Sequence, residues 1–310
     1  MEKILKVHTV NDYARYIGAP EFLLGKRTSS SGTPLVSVIH YDELEHCRHS
    51  LNNYDVYALF IGDEELEDLS YGQLQYNLHR HALMCVAPGQ IGGKVDEGEE
   101  IHTKGWALLF DTQLLRDTEL GRRIHDYTFF TYSVSEALLM TDEQRLSIVN
   151  LLEQMRQELR REEDVHTLRI VTSQLEQILE LVARFYALHL STSARSVNSD
   201  LLPRFERLLH QYYADGLQHQ HGLPTVKYCA QQLFLSPNYF GDLIRMLTGD
   251  TATSHIRRYV MQRAQQLLIG GATVSEVATR LGFEYPQHFT RQFKKHFGVT
   301  PSEFSRTSLI

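Results

Sequence analysis

A segment near the C-terminal end of this chain occurs twice, and that repeat limits what the chain can fold into. The first copy is VKYCAQQLFLSPNYFGDLIRMLTG, Val226 to Gly249, and the second is VSEVATRLGFEYPQHFTRQFKKHFG, Val274 to Gly298. Ala230 and Leu233 match Ala278 and Leu281 at an offset of 48. Phe240, Arg245 and Gly249 match Phe289, Lys294 and Gly298 at an offset of 49, so the second turn holds one extra residue. A segment repeated at fixed spacing is a structural unit used twice. Each copy reads as a helix-turn-helix: a short helix, a tight turn, then a longer helix able to lie in a major groove.

Apolar residues three and four apart define the helices. In the first copy they are Val226, Ala230 and Leu233, then Phe240, Leu243, Ile244 and Leu247. In the second they are Val274, Val277, Ala278 and Leu281, then Phe289, Phe293 and Phe297. Ala230 and Ala278 are small where two crossed helices must approach closely. Gly282 falls just past its helix, where a left-handed residue carries no Cβ penalty. Ser236 reads as an N-cap and Pro237 as a first helical residue. Thr273 and Glu276 read as a capping box. Between the copies, Ala252 to Leu268 carries Ile256, Tyr259, Val260, Arg263, Ala264, Leu267 and Leu268 at helical spacing. That stretch makes a rod of roughly 25 Å, against about 34 Å between successive major-groove entries on one face of DNA. The bland alternative is a pair of helical hairpins with no nucleic-acid role.

These residues resemble the DNA-binding domain of AraC-family transcriptional regulators, over about Leu202 to Arg306. Val277-Ala278 to Gly282-Phe283 is similar to the family's I-A-x-x-x-G-F pattern. Phe289, Arg291, Phe293 and Lys294 match its F-x-R-x-F-K core, and Gly298, Thr300 and Pro301 its G-x-T-P ending. Arg263-Ala264 with Leu267-Leu268 matches R-A-x-x-L-L on the joining helix. Asp242 stands where the family often has a basic residue, Val260 where it often has Arg, and Phe304-Ser305-Arg306 replaces a terminal Y-R. An aspartate near phosphates is repulsive, although its carboxylate can accept from cytosine N4.

The resemblance implies a double-stranded promoter DNA partner, with RNA polymerase a further partner if the protein activates. Base edges are assigned to Tyr285, Gln287, Thr290 and Arg291 in the second copy, and to Asn238, Tyr239, Asp242 and Arg245 in the first. Gln pairs with adenine and Arg with guanine. Lys294, Lys295, Arg257 and Arg263 are assigned to phosphates, which position without specifying. Ordinary solvated helix faces are the alternative for each.

Charge is divided in the same way. The chain carries a net −7, but residues 1–200 hold 19 Lys and Arg against 31 Asp and Glu, a net −12. Residues 201–310 hold 12 against 7, a net +5, and only that part has the sign that counterion release on DNA rewards. Six of the sixteen histidines also lie after residue 200. Cys47, Cys85 and Cys229 are odd in number and widely spaced, which suggests reduced thiols rather than a disulfide frame or a zinc site. The start MEKILKVHTVNDY has no signal-peptide core, and no run reaches membrane-spanning length. The expectation is a cytoplasmic protein with no membrane partner.

The N-terminal part reads as short strands at Pro34–Tyr41, Asp55–Ile61, Gln73–His79, Leu83–Ala87 and Trp106–Phe110. Turn formers separate them at Ser30-Ser31-Gly32, Gly62-Asp63, Pro88-Gly89, Gly92-Gly93 and Gly98. Such a pattern favours a barrel or jelly roll, and the stretch is similar to the cupin-type domain that often accompanies AraC-type units. His79 and His81 share a strand face in this reading, but no carboxylate follows before Asp96, so no metal and no cofactor is expected. GQIGGK at 89–94 lacks the phosphate-loop spacing. Two helices follow. Asp142–Glu163 carries Leu146, Val149, Leu152, Met155 and Leu159. His166–Leu190 carries Leu168, Val171, Leu175, Ile178, Val182 and Phe185, spaced like a coiled-coil seam.

The expected fold class is α+β. A cupin-like β-barrel or jelly roll (1–140) senses a small-molecule effector, and a helical hairpin (141–190) makes a homodimer or packs on its own barrel. A Ser-rich linker (191–200) leads to an all-α domain of two helix-turn-helix units joined by a long helix (201–310). The expected function is sequence-specific transcriptional regulation, not catalysis. The competing class is a cupin-like metal-dependent enzyme with a helical appendage.

Overall fold

A computed structural model describes residues 4–19, 34–71, 74–98, 100–133, 136–196 and 200–307. They form two units, divided between His189 and Leu190. The turn expected at Ser30-Ser31-Gly32 lies outside the described residues.

In the first unit, strands that are apolar at every position demand cover on both faces. Strands β1 (Leu5–Val7), β2 (Val36–His40), β3 (Cys47–Arg48), β4 (Leu51–Tyr54), β5 (Tyr57–Gly62) and β6 (Leu66–Tyr71) come first. Strands β7 (Leu74–Leu78), β8 (Ala82–Val86), β9 (Ile91–Gly93), β10 (Glu100–Ile101), β11 (Gly105–Phe110) and β12 (Leu138–Leu139) follow. One five-stranded sheet has the order β1-β4-β9-β6-β7, another the order β12-β8-β5-β11-β2, and β10 pairs with β3. Among the described residues only β1 and β4 pair in parallel.

Along the second sheet the side chains alternate between two buried faces. Ile39, Ala58, Phe60, Met84, Val86, Ala107 and Leu109 join Val7, Tyr54 and the residues of helix α1 (Val10–Tyr16) in one core. Leu59, Leu83, Cys85, Leu108 and Phe110 are also buried but point the other way. That face is covered by helices α3 (Asp142–Arg160) and α4 (Thr167–Ser196), which follow the short α2 (Glu119–Arg123). The Arg156 guanidinium lies 5.3 Å from the Trp106 ring centre. The Phe129 and Tyr186 rings stack at 5.7 Å. Arg145 pairs with Asp63, and Arg156 bonds Glu43 at 2.5 Å.

Three expectations need correction here, and one alternative is narrowed. His79-Arg80-His81 is the turn between β7 and β8, closed by His81 at φ 62, so the two histidines do not share a strand face. On α3 the buried stripe is Ile148, Leu151, Leu152 and Met155, while Leu146 is exposed; the pairing of Arg145 with Asp63 fixes which side of the helix faces the sheet. Val171, Leu175, Ile178 and Val182 of α4 are fully buried within a single chain, which fits the packing alternative for that part of the seam, while Leu168 at its start is exposed. Finally, α4 continues through Ser196, because STSARS holds no Gly or Pro to stop it; only 197–199 of the expected linker lie outside the described residues.

The second unit is all helical. Its elements are α5 (Leu201–Ala214), α6 (Gln218–His221), α7 (Val226–Gln232), α8 (Pro237–Thr248), α9 (Ala252–Ile269), α10 (Val274–Leu281), α11 (Pro286–Phe297) and α12 (Pro301–Thr307). Thr225, Ser236, Thr251 and Thr273 cap α7, α8, α9 and α10 through their hydroxyls. The box between Thr273 and Glu276 forms as the spacing predicts. Helix α9 runs between the two helix pairs, touching α7 and α8 of the first and α10 and α11 of the second. No described helix is long and apolar enough to cross a membrane.

Candidate nucleic-acid interface

Each helix pair must bury one stripe, and what remains outside is the working face. In α8 the buried stripe is Tyr239, Phe240, Leu243 and Ile244; in α11 it is Phe289 and Phe293. Phe205 meets Phe240 edge-on at 5.0 Å, and Phe289 meets Phe293 at 5.6 Å. Both helices end in a left-handed glycine, Gly249 at φ 75 and Gly298 at φ 80. These anchors set the rotation of each helix about its own axis.

That rotation places Gln287, Arg291, Lys294 and Lys295 on the exposed side of α11. Arg291 sits nearly opposite the Phe289 and Phe293 stripe, with the others flanking it. Tyr285 precedes the helix and is 50% exposed. Its phenol bonds the neighbouring Glu284 carboxylate, which holds the phenol above its ordinary pKa. Thr290 is half-buried, and its hydroxyl donates back to the Pro286 carbonyl at 3.0 Å, so that donor is already engaged within the helix. Among the described residues α11 has no side-chain cap at its start; Pro286 has no N–H and the His288 N–H bonds the Tyr285 carbonyl at 3.0 Å, so in the first turn only the Gln287 N–H is left without a described acceptor. His288 is exposed between Gln287 and Arg291 and was missed in the sequence. Its helical position next to Arg291 is the signal that finds it.

On α8, Asn238 and Arg245 are exposed and Asp242 is half-buried beside them, so the structure brings these three to one face. Tyr239 is corrected: it is 8% exposed, part of the buried stripe, and its ring does not reach the outer face. The reason is its position one residue before Phe240 and four before Leu243. On α9, Arg257 is exposed. Arg263 is half-buried; its guanidinium lies 4.9 Å from the Tyr213 ring centre and hydrogen-bonds Tyr259, which ties α9 to α5. Val260 is 2% exposed, which accounts for an apolar residue at that point of the rod. Cys229 is fully buried, and burial pushes its thiol up to about 12, so it is packing and not a nucleophile. Among the described residues no three His, Cys, Asp or Glu side chains converge as a metal site would require.

The turn between α10 and α11 is closely fitted. Gly282 has φ 86, and a Cβ there would lie 2.8 Å from the Gly222 carbonyl carbon and 2.9 Å from the Gln218 oxygen. Tyr213 donates to the Leu281 carbonyl at 3.2 Å and Tyr212 to the Gly222 carbonyl at 3.0 Å. The second pair is thereby held by α5 and α6 as well as by α9.

Residues 229–307 match the helix-turn-helix domain family. A stretch of 86 residues is 36% identical to the uncharacterized transcriptional regulatory protein YesN of Bacillus subtilis, covering 26% of this chain and 23% of that one. A stretch of 143 residues is 26% identical to the Msm operon regulatory protein of Streptococcus mutans, covering 46% and 49%. The C-terminal domain of AraT, a response regulator from Geobacillus stearothermophilus, is 27% identical over 33% of this chain and 84% of that one, with a TM-score of 0.29. The chain thus spans half or less of the length of these two curated relatives. Its C-terminal unit carries a helix-turn-helix domain similar to those of transcriptional regulators.

Proposed function

We propose that the whole chain is a transcriptional regulator of the AraC family that binds promoter DNA in a sequence-dependent way. The observation that carries this reading is the single exposed face of α11, where Gln287, Arg291, Lys294 and Lys295 stand together opposite a phenylalanine stripe. In this reading α11 enters the major groove. Arg291 and Gln287 address base edges, and Lys294, Lys295 and Arg257 address phosphates. The uncapped start of α11 suits a phosphate oxygen as well. Helix α8 supplies a second, weaker reader through Asn238, Asp242 and Arg245. Helix α9 holds the two in a fixed relation.

The two-sheet core of the first unit supports a cupin-like jelly roll that acts as the regulatory part. It takes a small-molecule effector, and homodimerisation uses surface other than the buried stripe of α4. An activator would also meet RNA polymerase. Access to promoter DNA places the protein in the cytoplasm.

The test is selection of duplexes from a random pool by the full-length protein, followed by titration of the recovered sequence and a scrambled one over a range of salt. The expected outcome is a recovered motif bound at least about tenfold more tightly than the scrambled duplex, with affinity falling steeply as salt rises. Equal affinity for both duplexes and for heparin overturns the reading.

A further inference from the structure

The first unit contains a cavity of ≈ 100 Å³ between its sheets and α1. At ~30 Å³ per water this is room for about three water molecules, so the cavity encloses one end of a ligand and leaves the rest at its mouth. Its inner wall is apolar and phenolic, built from Phe60, Met84, Val86 and three tyrosines, Tyr13, Tyr41 and Tyr54. All three tyrosines are less than a tenth exposed.

Their hydrogen bonds leave protons to spare. The hydroxyls of Tyr13 and Tyr41 are 2.6 Å apart, so one donates to the other and the second proton has no described acceptor. Tyr54 accepts from Asn52 Nδ2 at 3.3 Å, which leaves its own hydrogen to donate elsewhere. Asn52 is itself fully buried and tied to the Ser50 hydroxyl at 2.8 Å, so Tyr54 is held in place. Burial raises the pKa of all three phenols, which keeps them neutral donors. A buried donor without an acceptor is costly, and a ligand oxygen would remove that cost.

The rim has a different character. Arg48, Lys94 and Lys104 line it, and among the described residues no Asp or Glu does. This is a local excess of cations within a stretch, residues 1–200, whose net charge is −12. Lys104 reaches Glu64 at 3.4 Å, outside the lining, while neither Arg48 nor Lys94 has an ion-pair partner among the described residues. A polyol does not fit this wall, because most of its hydroxyls would face carbon. An anion with an apolar body does.

We propose that the cavity binds a compact monocarboxylate whose apolar body carries one further hydrogen-bond-accepting oxygen. The carboxylate sits between Arg48 and Lys94, and the second oxygen accepts from the Tyr13–Tyr41 pair and Tyr54. This assignment rests on the reading of the first unit as the effector-binding part.

Calorimetry of the full-length protein tests it with three matched probes. They are 4-acetylbenzoate, the neutral 4-acetylbenzamide, and 4-isopropylbenzoate, which lacks the acceptor. The expected result is saturable binding of 4-acetylbenzoate at least about tenfold tighter than either of the others. Lys94→Gln should abolish the preference over the amide. Tyr54→Phe should abolish the preference over the isopropyl compound. Both variants must keep the parent melting temperature, which shows that they fold. Equal affinity for acid and amide, or no saturable binding of 4-acetylbenzoate up to about 1 mM, overturns the assignment. Duplex binding by the same preparation without any probe is read separately. Its loss overturns the regulator reading and leaves the cavity result standing.

Discussion

The two helix pairs of the second unit share a scaffold and differ on the surface that scaffold presents. Phe240 and Phe289 are both fully buried, and so are Ala230 and Ala278 on the shorter helices. Gly249 and Gly298 both close the longer helix in the left-handed region. On the outer face, Asp242 stands where Arg291 stands, and Met246 where Lys295 stands. The turns differ too. Gly282 occupies a left-handed position against neighbouring backbone, whereas Phe234 holds the matching position in the first pair at φ 60 and is 87% exposed. Packing demands the same side chains wherever the same helices cross, while an outer position is free to differ with whatever it faces. The α11 face therefore offers three cations and no acid, and the α8 face one of each.

The largest effects should come from the shared scaffold. Phe240→Ala and Phe289→Ala should each cost about 3–5 kcal/mol, read by urea unfolding of the second unit. A large inequality between them would break the structural equivalence of the two pairs. Gly282→Ala should cost about 2–5 kcal/mol, from left-handed strain plus overlap with Gly222. Phe234→Ala should stay within about 1 kcal/mol, since its side chain touches little.

Next come the outer faces. Arg291→Ala should weaken binding to the selected duplex by about 1–3 kcal/mol and blur preference at one base pair. Equal loss on every sequence would move Arg291 to the backbone contacts. Asp242→Asn should tighten binding to all duplexes, measured by fluorescence anisotropy, if the carboxylate acts by repelling phosphate. Loss confined to duplexes with a cytosine at one position would instead make Asp242 a reader.

Smaller still, Phe234→Gly should raise stability by about 1 kcal/mol by relieving the left-handed conformation, seen as a higher melting temperature. The finest comparison is a charge exchange. Lys295→Met should flatten the dependence of log affinity on log salt by about 1, and Met246→Lys should steepen it by a similar amount if α8 also lies along the backbone.

Much of the second unit was legible because its signals are local. Ser236 before Pro237, Thr273 three residues before Glu276, and apolar residues at helical spacing mark helices without reference to the rest of the chain. The first unit was read less fully. Strands β2, β5, β8 and β11 were visible as apolar runs, but β1, β3, β10 and β12 are two or three residues long and exist only by pairing with partners far along the chain. Tyr239 was misplaced for a related reason. A tyrosine on a helix suits either an interface or an interior, and the choice fell to the stripe it shares with Phe240.

The amino-acid order alone determined the duplicated helix pairs, the rod between them and the segregation of positive charge to the last third of the chain, because periodicity, capping and charge depend on near neighbours. Folding in three dimensions decided that the buried stripe of α4 would be consumed within one chain, that Tyr239 would turn inward with Phe240, and that three tyrosines from α1, β4 and the segment after β2 would meet around one cavity. Those outcomes depend on which distant surfaces come to lie against each other, and no run of adjacent residues encodes that.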